Sequence, residues 1–149
     1  MTPVTDAPLT VATATVSAAA ARRMIAAAAG AARAIDKPMV IAVVDPGGEL
    51  KAFERMDGAP LLSVGIATDK AYTAAAFGLP THKWYDHIKD DPPLMHGIVH
   101  TSRLTVFGGG VPIRIDGRLV GGIGVSGGHY SQDLEVALAG LAAIGLTAV

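Results

Sequence analysis

The sequence predicts an α+β fold: an antiparallel sheet with helices packed on it, arranged as an α/β/α sandwich. Three observations predict it. Tight-turn signals at Asp45–Gly48 and Asp116-Gly117 each join two strand-like runs, so the strands meet as hairpins. No strand–helix–strand crossover pattern competes with those hairpins. Three Ala-rich stretches of helical character flank the runs, giving the order α-β-β-α-loop-β-β-β-α.

Each element has a local cause. From about Thr13 to Ile35, Val16, Ala20, Met24, Ala27, Ala28, Ala31 and Ile35 recur at helical spacing, with Arg22, Arg23 and Arg33 on the polar side. Asp36-Lys37-Pro38 ends this helix, because the residue before proline is driven out of helical geometry. Met39–Val44 is a continuous apolar run, read as a buried strand, and Glu49–Arg55 returns as its hairpin partner. After a turn at Met56–Pro60, a second helix runs from about Leu61 to Phe77 and stops at Gly78-Leu79-Pro80. Residues 81–103 are the least regular part, with a short helix around His82–Lys89 and a break at Pro92-Pro93. From Leu104 the chain turns to β, is interrupted by Gly108–Gly110, and continues as Val111–Ile115 and Arg118–Val125. Ser131 caps a third helix to about Ala148, with Asp133 and Glu135 in the first turn where the helix dipole favours anions.

Composition narrows the function. The 149 residues suit one domain spanning 1–149, with 1–10 as an arm, and can bury a core without staples. No cysteine means no disulfides, no thiolate metal site and no cysteine nucleophile. A net charge of −1 and seven aromatic residues argue against nucleic acid as a partner. The longest charge-free stretches, Ala7–Ala21 and Val136–Val149, fall short of the roughly 18 apolar residues that span a bilayer, so no membrane partner is expected. The Ala-rich start lacks the basic-then-apolar order of an export signal, and a cytoplasmic protein is expected. Alanine (27) and glycine (18) fill nearly a third of the chain, and half of it is hydrophobic. That is much for a small monomer, so a homo-oligomer with helices at the subunit interfaces is expected.

Several constellations bear on chemistry. Gly122-Ile-Gly124-Val-Ser-Gly127 fits a dinucleotide fingerprint, but no strand and acid follow at the required distance, and a glycine strand approached by a helix explains it better. Gly108, Gly109 and Gly110, and Ser126, Gly127 and Gly128, stand at strand ends, where amides can form an anion nest or simply a turn. His96 and His100 would face one metal if that segment were helical; otherwise they are loop histidines. His82 and His87 lie beside Trp84 and Tyr85, aromatics that line a flat ligand or cover the core. His129, next to Tyr130, is placed to move a proton or bind an anion. Lys70 sits in an Ala-rich helix beside Asp69, and either snorkels to the surface or faces a pocket. Asp45, Arg55 and Asp57 read as turn-forming and ion-paired.

Six stretches in order carry a family resemblance: Ile41–Leu50 (IAVVDPGGEL), Arg55–Ala59 (RMDGA), Asp69–Ala74 (DKAYTA), Phe107–Ile113 (FGGGVPI), Val120–Gly127 (VGGIGVSG) and Gln132-Asp133. Together they resemble the GlcG/HbpS family of haem-binding proteins, which includes the C-terminal domain of PduO-type proteins. The resemblance implies a profilin-like three-layer α/β/α sandwich with a five-stranded antiparallel sheet. It also implies self-assembly into a homo-oligomer, an octamer, and haem as cofactor, with haem degradation or redox roles in some members and a catabolic setting in others.

Three functions follow. The first is an oligomeric haem- or tetrapyrrole-binding protein, with Lys70, Arg103 and the glycine nests holding anionic groups and His96 or His100 meeting the iron. The second is a cofactor-independent catabolic enzyme, with a carboxylate-bearing substrate on the nests and His129 or Lys70 moving a proton. The third is a non-catalytic assembly protein.

Overall fold

The computed structural model describes residues 6–147. Helix α1 (Ala18–Ala34) is followed by strands β1 (Val40–Val44) and β2 (Leu50–Arg55) and by helix α2 (Leu62–Phe77). A 3₁₀ turn (Thr81–Lys83) leads into short helices α3 (Trp84–Ile88) and α4 (Pro92–Ile98). Strands β3 (Gly110–Ile115) and β4 (Arg118–Ser126) precede helix α5 (Tyr130–Ala142).

The sheet has the order β2-β1-β4-β3, with every neighbouring pair antiparallel. β1 is buried along its whole length. Its Ile41 and Val43 join the core under α1 and α5, while Val40, Ala42 and Val44 meet the α2 side. The predicted α/β/α layering therefore holds, with α1 and α5 on one face and α2 on the other. At Asp116-Gly117 both residues have positive φ (52° and 77°), as the hairpin turn between β3 and β4 requires.

Four strands, not five, are present among the described residues. The expected strand at Leu104–Phe107 is a loop, because a distant side chain serves its backbone. Thr73 Oγ1 accepts the Thr105 amide at 3.0 Å, and its single proton lies within reach of both the Asp69 carbonyl (2.8 Å) and the Arg103 carbonyl (2.9 Å). Helix α1 begins five residues later than expected. The Val16 amide bonds to the Val120 carbonyl in extended geometry, and the Ser17 side chain then accepts the Ala20 amide as N-cap. Pro92-Pro93 does not break a helix but opens α4, after an Asp91 cap on Leu94. His129, not Ser131, caps α5: its Nδ1 takes the Ser131 amide, and Gln132 reaches back to the His129 amide. α5 ends at Ala142 in a turn through Gly145, and its expected end at Ala148 lies outside the described residues.

The glycine fingerprint in β4 is structural. A Cβ on Gly122 would run into the Ala71 carbonyl oxygen, and one on Gly124 into that of Ala67. Helix α2 thus lies with its backbone directly on the sheet.

Candidate functional site

The end of β4, the first turns of α2 and α5, and the loop at Phe107 enclose a cleft of about 400 Å³. β4 delivers Ser126, Gly127 and Gly128 to it; α5 delivers His129 at its cap, Tyr130 and Asp133; α2 delivers Leu62, Ser63 and Ile66. Ser126 and Ser63 hydrogen-bond across the floor at 3.1 Å. A second cleft of about 340 Å³, lined by His82, Tyr85, Asp86 and Gly108, adjoins the first and shares Phe107 and Tyr130 with it. The rim is apolar and aromatic: Leu62, Phe107 and Tyr130 are all exposed, and the His129 and Tyr130 rings lie 4.0 Å apart.

Under this cleft is a buried ion pair. Lys70 Nζ donates to Asp133 Oδ2 and to the Val125 carbonyl, each at 2.9 Å, and lies 5.0 Å from the centroid of the Phe107 ring. Lys70 has no exposed surface. It neither snorkels nor pairs with Asp69, which instead faces Arg103 at 3.5 Å. The second carboxylate oxygen of Asp133 accepts the Gly128 amide at 2.9 Å, so one side chain ties α5, the β4 end and α2 together. Burial lowers the Lys70 pKa against the opposing pull of Asp133, and burial raises that of Asp133 against the pull of Lys70. Burial, reinforced by Lys83, also lowers the His82 pKa.

Gly108 lines the second cleft, and Gly109 packs against Lys70, where a Cβ would stand 2.7 Å from Nζ. The amides of Gly110 and Gly128 are taken by Thr81 Oγ1 and Asp133, so neither is open to a ligand anion. Arg103 lies outside the cleft, its guanidinium 3.8 Å from the centre of the Tyr72 ring. His96 and His100 are exposed and line neither cleft; α4 stops at Ile98, so they do not share a helical face. Among the described residues no three metal-ligating side chains converge. Trp84 is buried against Phe77 at 4.9 Å and covers the core, whereas Tyr85 is exposed in the second cleft. Asp45 forms its turn by accepting the Gly47 and Glu49 amides; among the described residues Arg55 and Asp57 form no ion pair.

The spacing rules missed Asp133 as a site residue, reading it only as a dipole-stabilising acid. One signal was available. A lysine in an Ala-rich helix needs either water or a counter-ion, and an acid opening the last helix can supply the second.

No described helix is long and apolar enough to cross a membrane. A family model described as haem degrading protein HbpS-like matches residues 16–142. A 15.0 kDa protein from the dhaT-dhaS intergenic region of Citrobacter freundii is 39% identical over 80% of this chain and 85% of its own length. The crystal structure of Klebsiella pneumoniae protein ORFY superposes with a TM-score of 0.86 at 30% identity, covering 94% of this chain and 98% of that one. The structure of a PduOC:heme complex superposes with a TM-score of 0.82 at 32% identity, covering 90% of this chain and 98% of that one. With its sandwich, its cleft and a match along nearly its whole length, this chain belongs to the HbpS-like family.

Proposed function

We propose that this protein binds haem or a related tetrapyrrole in the cleft between α2, Phe107 and α5. The carrying observation is the cleft's composition: exposed Leu62, Phe107 and Tyr130 form an apolar rim around an exposed imidazole, His129. Apolar walls with a few polar groups are what a flat, mostly apolar macrocycle needs. A relative of the same fold with haem bound supports the reading.

The residues present fit the group. The His129 ring is held by Nδ1, 2.8 Å from Ser131 Oγ and 3.3 Å from the Ser131 amide nitrogen. Because Nδ1 accepts the Ser131 amide, the ring proton sits on Nε2, which can donate to a carboxylate of the ligand. His82, whose buried Nδ1 has no partner, stands in the adjoining cleft. In this reading His129 and His82, which line the two clefts, stand nearer the ligand than His96 and His100. Bound haem would supply redox or ligand-binding chemistry at its iron. Self-association belongs to the same proposal, because Leu61, Leu62 and Phe77 leave large apolar surface open on and beside α2.

The test is haem titration followed by absorbance. The expected result is a Soret shift saturating near one haem per chain, weakened in His129→Ala and unchanged in His96→Ala and His100→Ala. No spectral change with excess haem would overturn the proposal.

The Lys70–Asp133 pair favours a second reading, a cofactor-independent proton-transfer enzyme using Lys70 or His129. Its mark would be turnover of a carboxylate-bearing substrate by haem-free protein, lost in Lys70→Met.

A further inference from the structure

Haem binding leaves the Lys70–Asp133 pair without a task. Stability does not explain it, since well-packed apolar residues are often as stable as a buried ion pair. Its setting is unusual for a purely structural pair. Nζ has two oxygen partners at 2.9 Å and lies over the Phe107 ring, 5.0 Å from its centre. Phe107 is 45% exposed, lines both clefts and lies outside any helix or strand, next to Gly108 and Gly109. Asp133 itself lines the first cleft. One ring thus both covers a buried amine and lines the open clefts.

We infer that Lys70, with Asp133 as its proton partner, is a covalent site for a small carbonyl compound that enters when the Phe107 ring swings aside. Lysine amines attack carbonyls only when neutral. Proton transfer from Lys70 to Asp133 makes both groups neutral, the direction in which burial pushes each of them. Nζ then bonds to the carbonyl carbon, and the carbonyl oxygen becomes the hydroxyl of a carbinolamine. Asp133 returns its proton to that hydroxyl, which leaves as water while the nitrogen lone pair closes the C=N bond. Nζ loses two hydrogens, both in the water formed, and nothing is oxidised or reduced. The protonated imine keeps one positive charge beside the Asp133 carboxylate, so the buried charges stay paired throughout. An opening the size of one phenyl ring would admit a partner of a few carbons.

The inference does not rest on haem, and its test uses haem-free protein with a readout at one residue. The full chain is incubated with acetaldehyde and sodium cyanoborohydride, which reduces an imine to a stable N-ethyl amine, and the labelled lysines are mapped by mass spectrometry. Lys70 is expected to be labelled faster than exposed Lys51, Lys83 and Lys89. Phe107→Ala should speed labelling at Lys70 and leave the surface lysines unchanged. Labelling of Lys70 no faster than the surface lysines in both wild type and Phe107→Ala overturns the inference, whatever the haem titration shows.

Discussion

Replacing Asp133 by alanine removes the carboxylate paired with a fully buried ammonium. Breaking a buried pair from one side costs about 3–5 kcal/mol, because the other charge is left without compensation. The structure also sets a ceiling. Lys70 can escape by losing its proton, and from an ordinary value of 10.5 that costs about 5 kcal/mol at pH 7. The two estimates agree, so urea unfolding followed by circular dichroism should show a loss of about 3–5 kcal/mol at neutral pH. The sign of the pH dependence follows. In the variant the folded pKa of Lys70 lies below its unfolded value, so between the two the unfolded chain binds more protons. Stability relative to wild type should therefore recover as pH rises from 7 toward 10. Lys70→Met combined with Asp133→Leu removes both charges and should come within about 1 kcal/mol of wild type. A loss below about 1 kcal/mol for Asp133→Ala, or a double variant as unstable as the sum of its parts, would refute the reasoning.

Gly124→Ala should lower the melting temperature strongly, because the new Cβ meets the Ala67 backbone, and overpacking of this kind costs about 1–3 kcal/mol or more. Thr73→Val removes the hydroxyl that serves Thr105 and Arg103. It should cost about 1–3 kcal/mol for the stranded amide and hasten proteolysis at 103–107. His82 has a folded pKa below its ordinary 6.5, so its contribution to stability is full above 6.5 and falls as pH drops toward the lowered value. His82→Gln should flatten the acid limb of a stability-against-pH curve over that window, and an unchanged limb would count against a neutral, half-buried imidazole.

Features with local causes were legible in the sequence. Two residues that tolerate positive φ marked the Asp116-Gly117 hairpin, and the helices announced themselves by spacing and proline stops. Features with distant causes were not. Leu104–Phe107 has strand-like residues, yet a threonine some thirty positions away supplies its hydrogen bonds. The spacing of His96 and His100 suggested one face only on the assumption of a continuous helix, and α4 ends between them. The glycines at the end of β4 pointed to the cleft from local pattern alone, but the anion nest did not follow, since Asp133 already fills part of it from the next helix.

The buried charge and the glycine floor are one design. Because Gly110, Gly122 and Gly124 carry no side chains, α2 can lie with its own backbone against the sheet; the Lys70 carbonyl occupies the space a Cβ on Gly110 would take. A helix held that close has no room to turn Lys70 outward, so its amine must end between β4 and α5. There Val125 and Asp133 receive it, with Gly109 and the Phe107 ring packed beside it. Gly110→Ala should lift α2 from the sheet, loosen the Lys70–Asp133 contact and disturb the cleft above. Such coupling would show as changed haem affinity in a variant whose own side chain lines neither cleft.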